Sequence, residues 1–139
     1  MTHDRLKAIT LRVFFGDMLL NWALGVFLMF LPDFARSAIG AEPLPLGGWR
    51  ILGTLFVLFA IWQTWIVRGW NIGPDGLWFA CWMAWIPVIL LTMALLYSNL
   101  PLREGARAVL WVGDIYMWLL GSWYAFVARR LARADSRPQ

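Results

Sequence analysis

Two carboxylates stand where a lipid bilayer would make them costly. Asp17 lies inside an apolar run, with Asn21 one helical turn further on and Gly25 one turn beyond that. Asp114 lies two turns inside another apolar run. A charge at mid-bilayer costs at least ~2.5–3.5 kcal/mol, so such groups mark proton or cation sites, or partners of an opposite charge. Two arginines bracket a further apolar run, Arg50 at its start and Arg68 at its end. Helical side chains lean toward the helix N-terminus, so Arg68 leans into the membrane while Asp17 leans out of it. The sequence therefore predicts two structural charge pairs, one per leaflet: Asp17 with Arg68 and Asp114 with Arg50. The competing chemistry is a carboxylate that couples protons or cations to transport. Arginines at matching depths favour the structural role.

Other reactive groups are few. The single cysteine, Cys81, sits in an apolar run, which excludes an intrachain disulfide and a cysteine-based metal site. The single histidine, His3, is near the terminus, so haem ligation through buried histidines is not expected. No nucleophile–base pair or metal-ligand set is legible, so no enzymatic activity, cofactor or metal is expected. Trp78, Trp82 and Trp85 recur at helical spacing just before Pro87. Such an aromatic wall suits a cation, a quinone or a pigment, although packing against lipid and helices is the favoured role.

The elements that hold these residues follow from hydropathy. Of the 139 residues, 61% are hydrophobic and 14% charged, well below the ~25% charge of a soluble domain. Apolar runs cover Val13–Leu31, Ile51–Val67, Leu77–Tyr97 and Ala108–Ala128. A spanning helix needs about 17–25 such residues, and helix alone satisfies every backbone N–H and C=O within the segment. The first run is too long for the apolar core of a signal peptide and is expected to be a retained helix. The expectation is one domain over 1–139, an all-α antiparallel four-helix transmembrane bundle, with helices at about 12–32, 49–68, 77–98 and 107–129. Pro32 is placed to open a short surface helix with Phe34, Ala38 and Ile39 on its apolar side, closed at Gly40. On the second spanning helix, Arg50, Gly53, Thr54, Val57, Ile61, Thr64 and Arg68 share a stripe expected to face the bundle. On the fourth, Asp114, Met117, Gly121 and Ala125 share another. Pro87 is expected to kink the third.

The net charge is +4, but the basic residues lie at helix ends rather than on one face. Anionic headgroups account for them better than nucleic acid. Arg5, Lys7, Arg12, Arg68, Arg129, Arg130, Arg133 and Arg137 fall on one side; Arg36, Arg50, Arg103 and Arg107 fall on the other. The richer side should be cytoplasmic, which places both termini inside.

The proline after the first run, Pro32, and the Arg50-Ile-Leu-Gly53 opening of the second resemble the small uncharacterised DoxX-like four-helix membrane proteins of bacteria. The likeness covers about the first half of the chain and implies a fold without an assigned activity. Other small four-helix families fit less well. Phe15-Gly-Asp17-Met does not match the first-helix motif of small multidrug transporters, and a lone cysteine cannot supply the Cys-x-x-Cys of vitamin K epoxide reductase-like enzymes. The function expected is that of a multi-pass protein of the bacterial inner membrane. It would act without catalysis, as an accessory or assembly subunit or a self-associating bundle, with the lipid bilayer and other membrane subunits or itself as partners. The alternative is a small homodimeric transporter coupled to protons or cations through Asp17 or Asp114.

Overall fold

The computed structural model describes residues 3–39, 46–69, 72–97, 102 and 105–135. These form five helices: α1 (His3–Phe30), α2 (Pro32–Ile39), α3 (Leu46–Gly69), α4 (Pro74–Tyr97) and α5 (Ala106–Asp135). No strand occurs among the described residues. The protein is all-helical. Three of its helices, over Arg5–Phe30, Gly47–Gly69 and Pro74–Tyr97, are long and apolar enough to cross a membrane. α5 has the length, but Asp114 and the weakly polar rings of Trp111, Tyr116, Trp118, Trp123 and Tyr124 lower the apolar character of its central run.

α1 begins well before its apolar run, and α5 ends well after its own. Membrane-length hydropathy marks where lipid would be, whereas a helix continues as long as one face finds a partner. Leu6, Thr10, Leu11 and Phe14 are buried at helical spacing along α1. Val127, Ala128 and Leu131 do the same for the end of α5.

The chain divides into two compact units. One holds α1 from Leu11 together with α2 and α3. The other holds the start of α1 up to Thr10, α4, and α5 from Arg107.

In the first unit, α1 and α3 run antiparallel, since Asp17 meets Gln63 while Met29 meets Gly53. Their crossing is set by two glycines. A Cβ on Gly53 would stand 2.7 Å from the Met29 nitrogen and 2.8 Å from the Gly25 carbonyl oxygen. One on Gly25 would stand 2.7 Å from Val57 Cγ2 and 2.9 Å from its nitrogen. The two backbones are thus in contact, the packing that lipid tails cannot provide. Trp49, Gly53, Ala60 and Gln63 are buried on α3, while Arg50, Thr54, Ile61 and Arg68 are exposed. The packed face is therefore the expected stripe turned by one residue, about 100°. Gly53, Val57 and Thr64 lie near the border and belong to both. The reason is steric: the helices meet where no side chain intervenes, and that contact fixes the rotation of α3.

The short helix forms where Pro32 opens it. Proline needs no N–H donor at a first helical position, and the chain turns there from α1 through Leu31 N–H donating to Phe27 O (2.8 Å). Asp33 in the first turn and Arg36 in the last complement the helix dipole. Ala35 packs into a cluster with Leu28 and Trp49, backed by Phe27, Leu52 and Phe56. Phe34 stays largely exposed and meets Phe27 edge-on at 5.8 Å. Gly40 lies outside the described residues.

In the second unit, α4 and α5 are also antiparallel. Leu95 meets Arg107, Thr92 meets Asp114, Trp85 meets Trp118, and Trp78 meets Arg129. Pro87 stands within the continuous helix α4. Gly121 leaves room for the indole of Trp85, which would lie 2.5 Å from a Cβ placed there.

Candidate functional site

Among the described residues each unit buries one carboxylate between its antiparallel helices, and the two are held differently.

Asp17 is 3% exposed. Its Oδ2 accepts from Gln63 Nε2 at 2.7 Å, and its Oδ1 from Asn21 Nδ2 at 3.2 Å. The ring is closed by Asn21 Nδ2 donating its other hydrogen to Gln63 Oε1 at 3.0 Å. Asn21 reaches Asp17 because i and i+4 share a helix face, while Gln63 comes from α3. The directions of donation are consistent with an ionised Asp17, whose two oxygens accept and whose amide neighbours donate. Next to the ring, Trp22 Nε1 donates to Thr64 Oγ1 at 3.1 Å, and Thr64 donates to the Ala60 carbonyl at 2.7 Å. Phe14 and Trp62 pack edge-on at 5.9 Å, with Phe59 stacked on Trp62 at 5.4 Å.

Asp114 is 1% exposed. Its Oδ2 lies 2.8 Å from Thr92 Oγ1 on α4, while its Oδ1 is buried with no hydrogen-bond partner. Thr92 Oγ1 also lies 2.8 Å from the Val88 carbonyl and accepts from Trp118 Nε1 at 3.1 Å. A hydroxyl has one proton, so Thr92 donates either to Asp114 or to Val88.

The two arginines expected as charge partners, Arg68 and Arg50, are both exposed on α3. Arg68 is exposed in the last turn of α3, and the donors to Asp17 described above are neutral amides. Arg50 is exposed in the first unit, where its carbonyl accepts from Thr54 Oγ1; Asp114 belongs to the second. One partner not foreseen from the sequence is Gln63. Its amide has the donors and acceptor the carboxylate and Asn21 need, but it is flanked by Trp62 and Thr64 and carries no charge to draw attention. Thr92 was missed for a similar reason, lying in an apolar helix with no polar neighbour in sequence.

The three tryptophans of α4 do not form one exposed wall. Trp82 is exposed and meets Trp85 edge-on at 6.0 Å. Trp85 is half-buried against Gly121 and Trp118, and Trp78 lies beneath the Arg129 guanidinium, 5.7 Å from its ring centroid. Cys81 is fully buried on the same helix. Among the described residues no three His, Cys, Asp or Glu side chains gather into a metal-binding group.

Comparison with known proteins found no matching family model, no matching curated protein and no matching solved structure.

Proposed function

We propose that the chain is a four-span protein of the bacterial inner membrane, both termini cytoplasmic, that acts without catalysis as an accessory or assembly subunit or a self-associating bundle. The observation that carries this reading is the closed ring of Asp17, Asn21 and Gln63. A carboxylate enclosed by amide donors from its own and the neighbouring helix fastens α1 to α3, and a group so enclosed is poorly placed to exchange a cation. Burial of Asp114 against Thr92 supports α5 as the fourth span, because it removes the run's one charge from any lipid-facing surface. The DoxX-like resemblance implies the same architecture.

The test is reconstitution of the full chain in liposomes loaded with a pH-sensitive dye, with native mass spectrometry of the complex in mild detergent. The expected result is a stable homo- or hetero-assembly and no proton flux above empty liposomes. Flux that disappears on Asp17→Asn would overturn the reading.

One observation favours the transporter alternative, at Asp114 rather than Asp17. The Asp114 Oδ1 is buried without a hydrogen-bond partner, an acceptor left open to a transported cation. Flux abolished by Asp114→Asn but kept in Asp17→Asn would establish that version.

A further inference from the structure

The end of α5 carries a second polar feature, distinct from either carboxylate. A cavity of about 450 Å³ is lined by Trp85 of α4 and, along α5, by Ser122, Ala125, Phe126, Arg129, Arg130 and Arg133. We propose that this cavity binds the phosphodiester headgroup of an anionic phospholipid, a reading that rests on the membrane location proposed above.

The chemistry of the lining is graded along the helix. From Ser122 to Arg133 it runs about 16 Å at 1.5 Å per residue. One end is indole, phenyl and methyl; the other is three guanidinium groups, with no acid among the described lining residues. Arg130 lies over the Phe126 ring at 5.0 Å and Arg129 over Trp78 at 5.7 Å. Cation–π contact at these distances pre-places the groups. A guanidinium stacked on a ring keeps its in-plane N–H fork for an oxygen acceptor, and a phosphate takes that fork bidentately. All three arginines are exposed.

A free phosphate would satisfy the basic end alone. A phospholipid uses both ends: its phosphodiester meets the arginines, and its glycerol and first methylenes lie along Ala125, Phe126 and Trp85. This apolar end continues into the apolar run of α5, which is the direction acyl chains must take. A zwitterionic headgroup brings its own cation to a site that already holds three, so anionic lipid is preferred.

The test is titration of the purified full chain in neutral detergent, read by native mass spectrometry. Three probes are used: short-chain phosphatidylglycerol, short-chain phosphatidylcholine, and inorganic phosphate. Phosphatidylglycerol should bind at least tenfold more tightly than either of the others. The R130Q/R133Q double variant should weaken it about 25-fold, taking about fivefold per arginine near a membrane surface. Lysine at both positions should restore only part of that affinity, because it keeps the charge and loses the bidentate fork. Ser122→Phe, an exposed position that leaves all three charges, should also weaken phosphatidylglycerol by filling the cavity. Equal binding of the two lipids overturns the site while leaving the membrane reading intact. Inorganic phosphate binding as tightly as phosphatidylglycerol overturns the lipid assignment. Unchanged affinity in both R130Q/R133Q and Ser122→Phe overturns the location.

Discussion

Replacing Gln63 by leucine tests whether the amide ring around Asp17 fastens α1 to α3. The side chain is fully buried and nearly isosteric with leucine, so little volume changes. Two hydrogen bonds are lost: the 2.7 Å bond to Asp17 and the 3.0 Å bond from Asn21. The first has the length of a charge-assisted bond. Bonds to charged groups contribute about 1.5–3 kcal/mol, and neutral ones about 0.5–1.5 kcal/mol. Neutral interhelical bonds within bilayers average only about 0.6 kcal/mol, because the unfolded chain in lipid also finds partners. The expected loss for Gln63→Leu is therefore about 2–3.5 kcal/mol. A double-mutant cycle with Asp17→Leu isolates the Asp17–Gln63 bond from the rest. Reversible unfolding in mixed micelles, or steric trapping in bicelles, measures all four corners. An ionised Asp17 should give a coupling of about 1.5–3 kcal/mol. A coupling below about 0.5 kcal/mol would refute the view that this bond ties the helices.

Further outcomes follow from the packing. Gly53→Ala should destabilise by about 1–3 kcal/mol, because its Cβ meets backbone atoms of α1 that cannot move aside alone; Gly16→Ala, with nothing within 4 Å, should stabilise by up to about 1 kcal/mol. Thermal or denaturant unfolding of the two variants side by side should show opposite signs. Thr92→Val keeps shape but deprives Asp114 of its hydroxyl partner and Trp118 of its acceptor, and should cost about 1.5–3 kcal/mol in the same assay. Cysteines introduced at Ser37 and Ser136 should be labelled by an impermeant maleimide from opposite sides of the membrane; labelling of position 136 from outside intact cells would reverse the proposed topology.

Much of the helical layout was legible because lipid-like composition is a local property. A run such as Leu77–Tyr97 must close its backbone hydrogen bonds within itself, so its state follows from its own residues. α2 was legible for a similarly local reason: Pro32 opens a helix wherever it stands after a turn. Asp17, Asn21 and Asp114 could be singled out because polar groups in apolar runs are rare and costly. Their neutral partners Gln63 and Thr92 could not be, because neither carries a charge. Arg50 and Arg68 drew the inward stripe of α3 to themselves, yet both are exposed on α3. The rotation of that helix is decided by the backbone contact at Gly25 and Gly53, and this turns Gln63 toward Asp17. On α4, apolar residues surround the helix on all sides, so no periodicity marks Thr92 as inward; its place beside Asp114 exists only once α5 has packed against it. Composition and spacing determine which segments are helices and which buried groups need partners, because both are costs a segment bears alone. Which partner answers each group depends on the rotation of one helix against another, and that is set by close packing between residues far apart in the chain.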